Sequence, residues 1–236
     1  MGSATLPQRG ALSRSPNHGP RKGDAQPDMI VLHYTVMDLD GSLDRLCDPE
    51  FEVSAHYALC PTGGVFPLVD EDRRAWHAGL SHWAGVADIN SRSIGIEIVN
   101  DGSSPFSVPQ IDALVRLLDE IRGRWDIPDC RIVGHSDVAP GRKVDPGRRF
   151  DWLGLSRRGH GVWPDAAGQG ADTCWHTFLQ ALRDYGYTAQ AEPEVLLDTF
   201  RMHFRPWAHG ALSGADVAAA VNLADRFAVD RAPDTQ

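Results

Sequence analysis

Apolar residues first gather at 29–35 (MIVLHYT), a β-rich run whose period of two sets Val31, His33 and Thr35 on one face. A second strand is expected over 93–99 (SIGIEIV). There Ile94, Ile96 and Ile98 alternate with Ser93, Gly95 and Glu97, so one carboxylate sits within an otherwise apolar run. Residues 55–59 and 65–69 flank Pro61-Thr62-Gly63-Gly64, the pattern of a hairpin. Helical spacing takes over at 109–125, where Ile111, Leu114, Leu117, Leu118, Ile121 and Trp125 form one stripe and Ser107 is placed to cap it. A short strand over 131–133 then runs into Gly134-His135. Strands alternating with helices predict an α/β fold with a mixed central β-sheet flanked by helices.

The pattern changes after residue 165. Three amphipathic helical segments, 172–185, 193–204 and 214–227, follow with no strand pattern between them, which predicts a small C-terminal helical bundle. Residues 1–28 are rich in Gly, Pro, Ser and Arg, and are expected to form an extended N-terminal arm with little to bury. The expected division is therefore 1–28, 29–165 and 166–236, a length suited to one large and one small domain.

Composition narrows the partners. A net charge of −9 with no Lys/Arg run argues against nucleic acid or an anionic membrane, both of which need a basic footprint. Cys47, Cys60, Cys130 and Cys174 are far apart with no CxxC pair, so four buried free thiols are expected rather than a disulfide framework or a cysteine zinc site. No stretch approaches the ~18 apolar residues of a membrane helix, and residues 1–28 lack the apolar core of a signal peptide. A cytoplasmic location is expected on these grounds, or a periplasmic one if an export signal precedes this chain. Neither GxGxxG nor a Walker A sequence occurs, so no nucleotide cofactor is expected.

The chemistry concentrates in 134–147 (GHSDVAPGRKVDPG). His135 follows a strand there, and Asp145 lies ten positions on, in a loop where Pro140, Gly141, Pro146 and Gly147 forbid regular structure. Such a loop can fold a carboxylate back toward an imidazole, and His33 can supply a second nitrogen from another strand. A lone histidine on an apolar face is usually a satisfied core residue. Two His and one Asp together leave a tetrahedral zinc with one open position, the arrangement of a catalytic site.

The ordered runs VLHYT, SAHYAL, AWHAG, SIGIEI and GHSDVAPGRKVDPG resemble the zinc-dependent N-acetylmuramoyl-L-alanine amidases of the amidase-2, or peptidoglycan recognition protein-like, superfamily, in its AmpD/AmiD type. The trailing helices with MHFRP are similar to the peptidoglycan-binding-like C-terminal region of the AmiD type. The resemblance implies a Zn2+ held by His33, His135 and Asp145. It implies that Glu97 orients or deprotonates the attacking water and that Lys143 stabilises the oxyanion. It also implies that the loop carrying Trp76 and His77 lines a substrate groove. His56 is out of phase with Ala55, Tyr57 and Leu59, so it either faces the cleft or serves a structural role; His82, Trp83, His160 and Trp163, in Gly/Pro-rich loops, are further candidates to wall a sugar or peptide site.

The implied activity is hydrolysis of the amide between (anhydro)N-acetylmuramic acid and L-Ala of the stem peptide, in peptidoglycan recycling or turnover. The expected partner is a muropeptide or peptidoglycan. Two other readings stand beside it: a peptidoglycan-binding module that does not cut, and a periplasmic amidase acting on the intact wall. The complete set His33, Glu97, His135, Lys143 and Asp145 favours an enzyme.

Overall fold

A computed structural model describes residues 14–165 and 172–228. In chain order its strands and helices are β1 (His18–Pro20), β2 (Met29–Tyr34), α1 (Leu39–Cys47), β3 (Tyr57–Leu59), β4 (Val65–Pro67), β5 (Arg73–Ala75), α2 (Ile89–Arg92), β6 (Ser93–Ile98), α3 (Val108–Arg124), β7 (Ile132–Gly134), α4 (His135–Val138), α5 (Trp152–Arg157), α6 (Trp175–Tyr185), α7 (Pro193–Phe204) and α8 (Gly214–Phe227). Five strands form one sheet in the order β4-β3-β6-β2-β7. The strands β3, β6, β2 and β7 run parallel, while β4 turns back antiparallel on β3 and closes the expected hairpin. The sheet is therefore mixed and flanked by helices, as the alternation of patterns predicts.

The period of two divides the side chains of this sheet between two cores. Ile30, Leu32, Ile94, Ile96, Ile98 and Ile132 meet Leu114, Leu117, Leu118 and Ile121 of α3. Ser107 caps that helix as expected, accepting from the Gln110 N–H. Met29, Val31 and Val133 point the other way and share a buried cluster with Phe178, Leu182, Phe200 and Leu223 of the C-terminal helices. Each such side chain contributes roughly 1.5–3 kcal/mol of burial, so α6, α7 and α8 are joined to the sheet by a common core. The boundary expected at residue 166 lies outside the described residues.

The arm expected over 1–28 needs correction where it is described. Ser15 and Asn17 are buried, and β1 pairs antiparallel with β5. The Arg21 guanidinium donates to the carbonyls of Glu71, Asn90, Ser91 and Ser93, and burial lowers its pKa to about 10. The composition read as unburied because polar side chains, not apolar ones, dock this segment. The four cysteines lie outside disulfides, but the expectation that all are buried needs correction: Cys60 is buried, whereas Cys47, Cys130 and Cys174 are partly exposed. Among the described residues no helix is long and apolar enough to cross a membrane.

Candidate metal centre

The site forms where the parallel strands end, as ligand sites of open α/β sheets do. His33 is the penultimate residue of β2, and the parallel register sets Glu97 of β6 directly beside it. His135 begins α4 at the end of β7. The loop after α4 returns because the Ser136 N–H donates to the Asp145 carbonyl at 2.9 Å. Gly134 allows that approach, since a Cβ there would stand 2.8 Å from Cδ of Pro146. A cleft of about 370 Å³ opens over these groups, and His33, Trp76, His77, Glu97, His135, Lys143 and Asp145 are among its lining residues.

Three donor atoms converge at its floor. His33 Nδ1 and His135 Nδ1 are 2.9 Å apart, and each lies 3.0 Å from Asp145 Oδ2. The outer partners fix the tautomers. His135 Nε2 faces the Ala78 carbonyl at 3.1 Å and must donate, which leaves its Nδ1 as a lone pair. The Ser93 hydroxyl donates to the Ile89 carbonyl at 2.7 Å and accepts from His77 Nε2 at 3.1 Å. His77 Nδ1 consequently accepts from His33 Nε2 at 3.0 Å, and His33 Nδ1 also turns a lone pair inward. Burial and the neighbouring His135 lower the His33 pKa to about 4, and burial with the neighbouring His33 holds His77 well below its ordinary value, so both rings are neutral.

Three inward acceptors at this spacing repel one another unless a cation lies among them. Zinc bonds of ~2.0 Å in a tetrahedron set ligand atoms ~3.3 Å apart. The observed triangle is within a few tenths of an ångström of that, and its N/N/O chemistry suits zinc. Among the described residues, His33, His135 and Asp145 are the group of potential metal ligands brought together.

Beside this triangle the Glu97 Oε2 is enclosed without a hydrogen-bond partner, and burial, reinforced by the Asp145 charge and opposed by Lys143, raises its pKa to about 8. Such a carboxylate is a stronger base than an exposed one. His56 corrects the suggestion that it faces the cleft: it is fully buried, accepts the Gly95 N–H at Nδ1 and donates from Nε2 to the Arg73 carbonyl. By taking the Gly95 N–H it ties β6 to the residue just before β3. His77 lines the cleft, but both its nitrogens are engaged by His33 and Ser93, which makes it a positioner of His33. His82, Trp83, His160 and Trp163 are not among the cleft's lining residues. Trp83 is core, packed on Tyr185 and Tyr187, and His160 is buried against Arg122 and Asp119.

Sequence reasoning missed the roles of Ser93 and Gly95. The signal was present, since a glycine inside an isoleucine strand marks a close approach. A Cβ at Gly95 would lie 2.4 Å from the His77 ring.

The fold and donor set define the class: an α/β domain with three residues that could hold one metal ion at the carboxyl ends of its parallel strands. The chain belongs to the N-acetylmuramoyl-L-alanine amidase family, whose sequence pattern matches residues 23–148. It is 36% identical to N-acetylmuramoyl-L-alanine amidase AmiD of Escherichia coli, across 86% of this chain and 84% of that protein. It is 35% identical to 1,6-anhydro-N-acetylmuramyl-L-alanine amidase AmpD of Enterobacter cloacae, across 58% of this chain and 83% of that protein. The solved complex of E. coli AmiD with anhydro-N-acetylmuramic acid-L-Ala-D-γ-Glu-L-Lys superposes with a TM-score of 0.79 at 33% identity, covering 94% of this chain and 95% of the other.

Proposed function

We propose that the protein is a zinc-dependent amidase that hydrolyses the bond between the lactyl carbonyl of (anhydro)N-acetylmuramic acid and the L-Ala nitrogen of the stem peptide. The observation that carries this is the convergence of three lone-pair acceptors beside an enclosed glutamate whose pKa is raised. The substrate class is supported by the relatives, since AmiD is solved with an anhydromuramyl peptide and the AmpD relative is a 1,6-anhydro-N-acetylmuramyl-L-alanine amidase.

His33, His135 and Asp145 would hold the zinc, which supplies Lewis acidity to polarise a carbonyl and acidify water. Glu97 takes the proton from the attacking water as its oxygen bonds to the lactyl carbon. Lys143, on the cleft wall, places a fixed cation near the oxyanion that develops. As the C–N bond breaks, Glu97 returns its proton to the leaving nitrogen, which gives a lactyl carboxyl and a free L-Ala amine. Trp76 and the cleft rim bind the sugar and peptide.

The cytoplasm remains the proposed location, because four cysteines outside disulfides suit a reducing compartment. Mass spectrometry of products from purified anhydromuropeptide and from sacculi, run in parallel, tests the function. Release of intact stem peptide from anhydromuropeptide is expected, with lower kcat/KM on sacculi. No cleavage of either would reduce the protein to a binding module.

A further inference from the structure

Asp137 stands two residues after His135 and is fully buried. Its carboxylate takes no part in the chemistry above, yet it ties the corner where β7 becomes α4 to the C-terminal part of the chain. Oδ2 accepts the Gly134 N–H at 2.7 Å, closing the strand-to-helix turn from which His135 projects. A helix of four residues does not hold itself, so this bond and the Ser136 tie to Asp145 fix the direction of His135. The remaining capacity of the carboxylate is filled from the C-terminal part of the chain. Tyr187 donates its hydroxyl to Oδ1 at 2.5 Å, and His203 donates from Nδ1 to Oδ2 at 2.7 Å. Both donors are rigid: the Tyr187 ring packs on Trp83, and the His203 ring is stacked between Trp152 at 3.8 Å and Phe204 at 3.9 Å. His203 is the histidine of the MHFRP run, whose histidine had no assigned role in the sequence.

We propose that Tyr187 and His203 are positioning residues for the metal ligand His135, acting through Asp137. The C-terminal part of the chain, through Tyr187 just after α6 and His203 in α7, thus supports the metal centre without entering the cleft. This rests on the reading of His33, His135 and Asp145 as the zinc ligands. A buried carboxylate that loses a donor re-aims at those that remain, and one of these is the Gly134 N–H that sets the His135 corner. Loss of an outer partner of a metal ligand typically weakens metal affinity 10–100-fold.

The test measures zinc affinity of the metal-stripped full chain by competition with a chromophoric chelator, alongside thermal melts of the metal-free proteins. Tyr187→Phe and His203→Leu are each expected to weaken zinc binding about 10-fold or more, and His203→Asn, which keeps a donor near the Nδ1 position, to recover most of it. Leu223→Ala, at a buried residue of α8 whose side chain can donate no hydrogen bond to Asp137, should lower the melting temperature and leave zinc affinity unchanged. If His203→Leu fails to fold, Tyr187→Phe alone decides, because it removes one oxygen and keeps the ring. Unchanged zinc affinity in Tyr187→Phe, or an equal loss in Leu223→Ala, overturns the positioning role while leaving the ligand assignment standing. A parent protein that takes up no zinc overturns both.

Discussion

Gly95→Ala probes the link between the sheet and the metal centre with one methyl group. An ideal Cβ at residue 95 would lie 2.4 Å from His77 Cγ, 2.5 Å from Cδ2 and 2.7 Å from Nδ1. Ordinary carbon contacts need ~3.5–4.0 Å, so the ring must retreat by about 1 Å. It cannot do so and keep its bonds of 3.0 Å to His33 and 3.1 Å to Ser93. Overpacking costs about 1–3 kcal/mol, and two weakened hydrogen bonds add about 1 kcal/mol. Against this, Gly→Ala at a residue without positive φ gains about 0.4–1 kcal/mol by restricting the unfolded chain. The steric effect wins, with a net loss of about 2 kcal/mol, or roughly 4–8 °C in Tm for a chain of this size. The assay is thermal unfolding of the metal-free protein in a double-mutant cycle with His77→Ala. In the His77→Ala background the new methyl enters vacated space, and the cost should vanish or reverse sign. An equal drop in both backgrounds would refute the contact, and no drop with His77 present would refute the rigidity assigned to the ring.

Three further outcomes are expected. Glu97→Gln should keep zinc content and fold while losing ~10²–10⁴ of kcat, measured by product formation; a raised KM with kcat intact would make Glu97 a binding group instead. Burial acts to raise the Asp216 pKa, but hydrogen bonds from Arg201, Ser213 and Arg205 outweigh it and hold the carboxyl at about 2. Its stabilisation, about 2 kcal/mol, is therefore complete above about pH 4 and lost as pH falls toward 2. Acid titration of stability should show Asp216→Asn missing that increment, and parallel curves for parent and variant would count against it. Arg21→Ala should cost about 2–4 kcal/mol in chemical denaturation, because it strands buried carbonyls; a loss below about 0.5 kcal/mol would mean that the N-terminal segment only rests on the surface.

The long elements were legible because their patterns are intrinsic. β2, β6 and α3 bury whole faces, and β3 and β4 are joined by a turn with its own chemistry. α1 was missed because Gly41 and three aspartates or serines dilute its stripe of Leu39, Leu43 and Leu46. β1, β5, α2 and α4 have only three or four residues, too few to display a period, and tertiary contacts hold them. In the site, each candidate residue was visible singly. What strand alternation cannot give is register: Glu97 faces His33 because β2 and β6 are aligned by packing across the whole sheet. Long-range partners such as Tyr187 and His203 leave no local trace, since their hydrogen bonds to Asp137 span 50 and 66 residues.

The central claim is that His33, His135 and Asp145 hold the zinc on which amide hydrolysis depends. The direct measurement is cleavage of a purified anhydro-N-acetylmuramyl peptide, followed by mass spectrometry, with metal-stripped protein, with the same protein reloaded with zinc, and with His135→Ala, zinc content being measured in each. Stripped protein should be inactive, reloading about one zinc per chain should restore release of the intact stem peptide, and His135→Ala should lose both metal and turnover. Full turnover by the stripped protein, or full zinc content and turnover in His135→Ala, would contradict it.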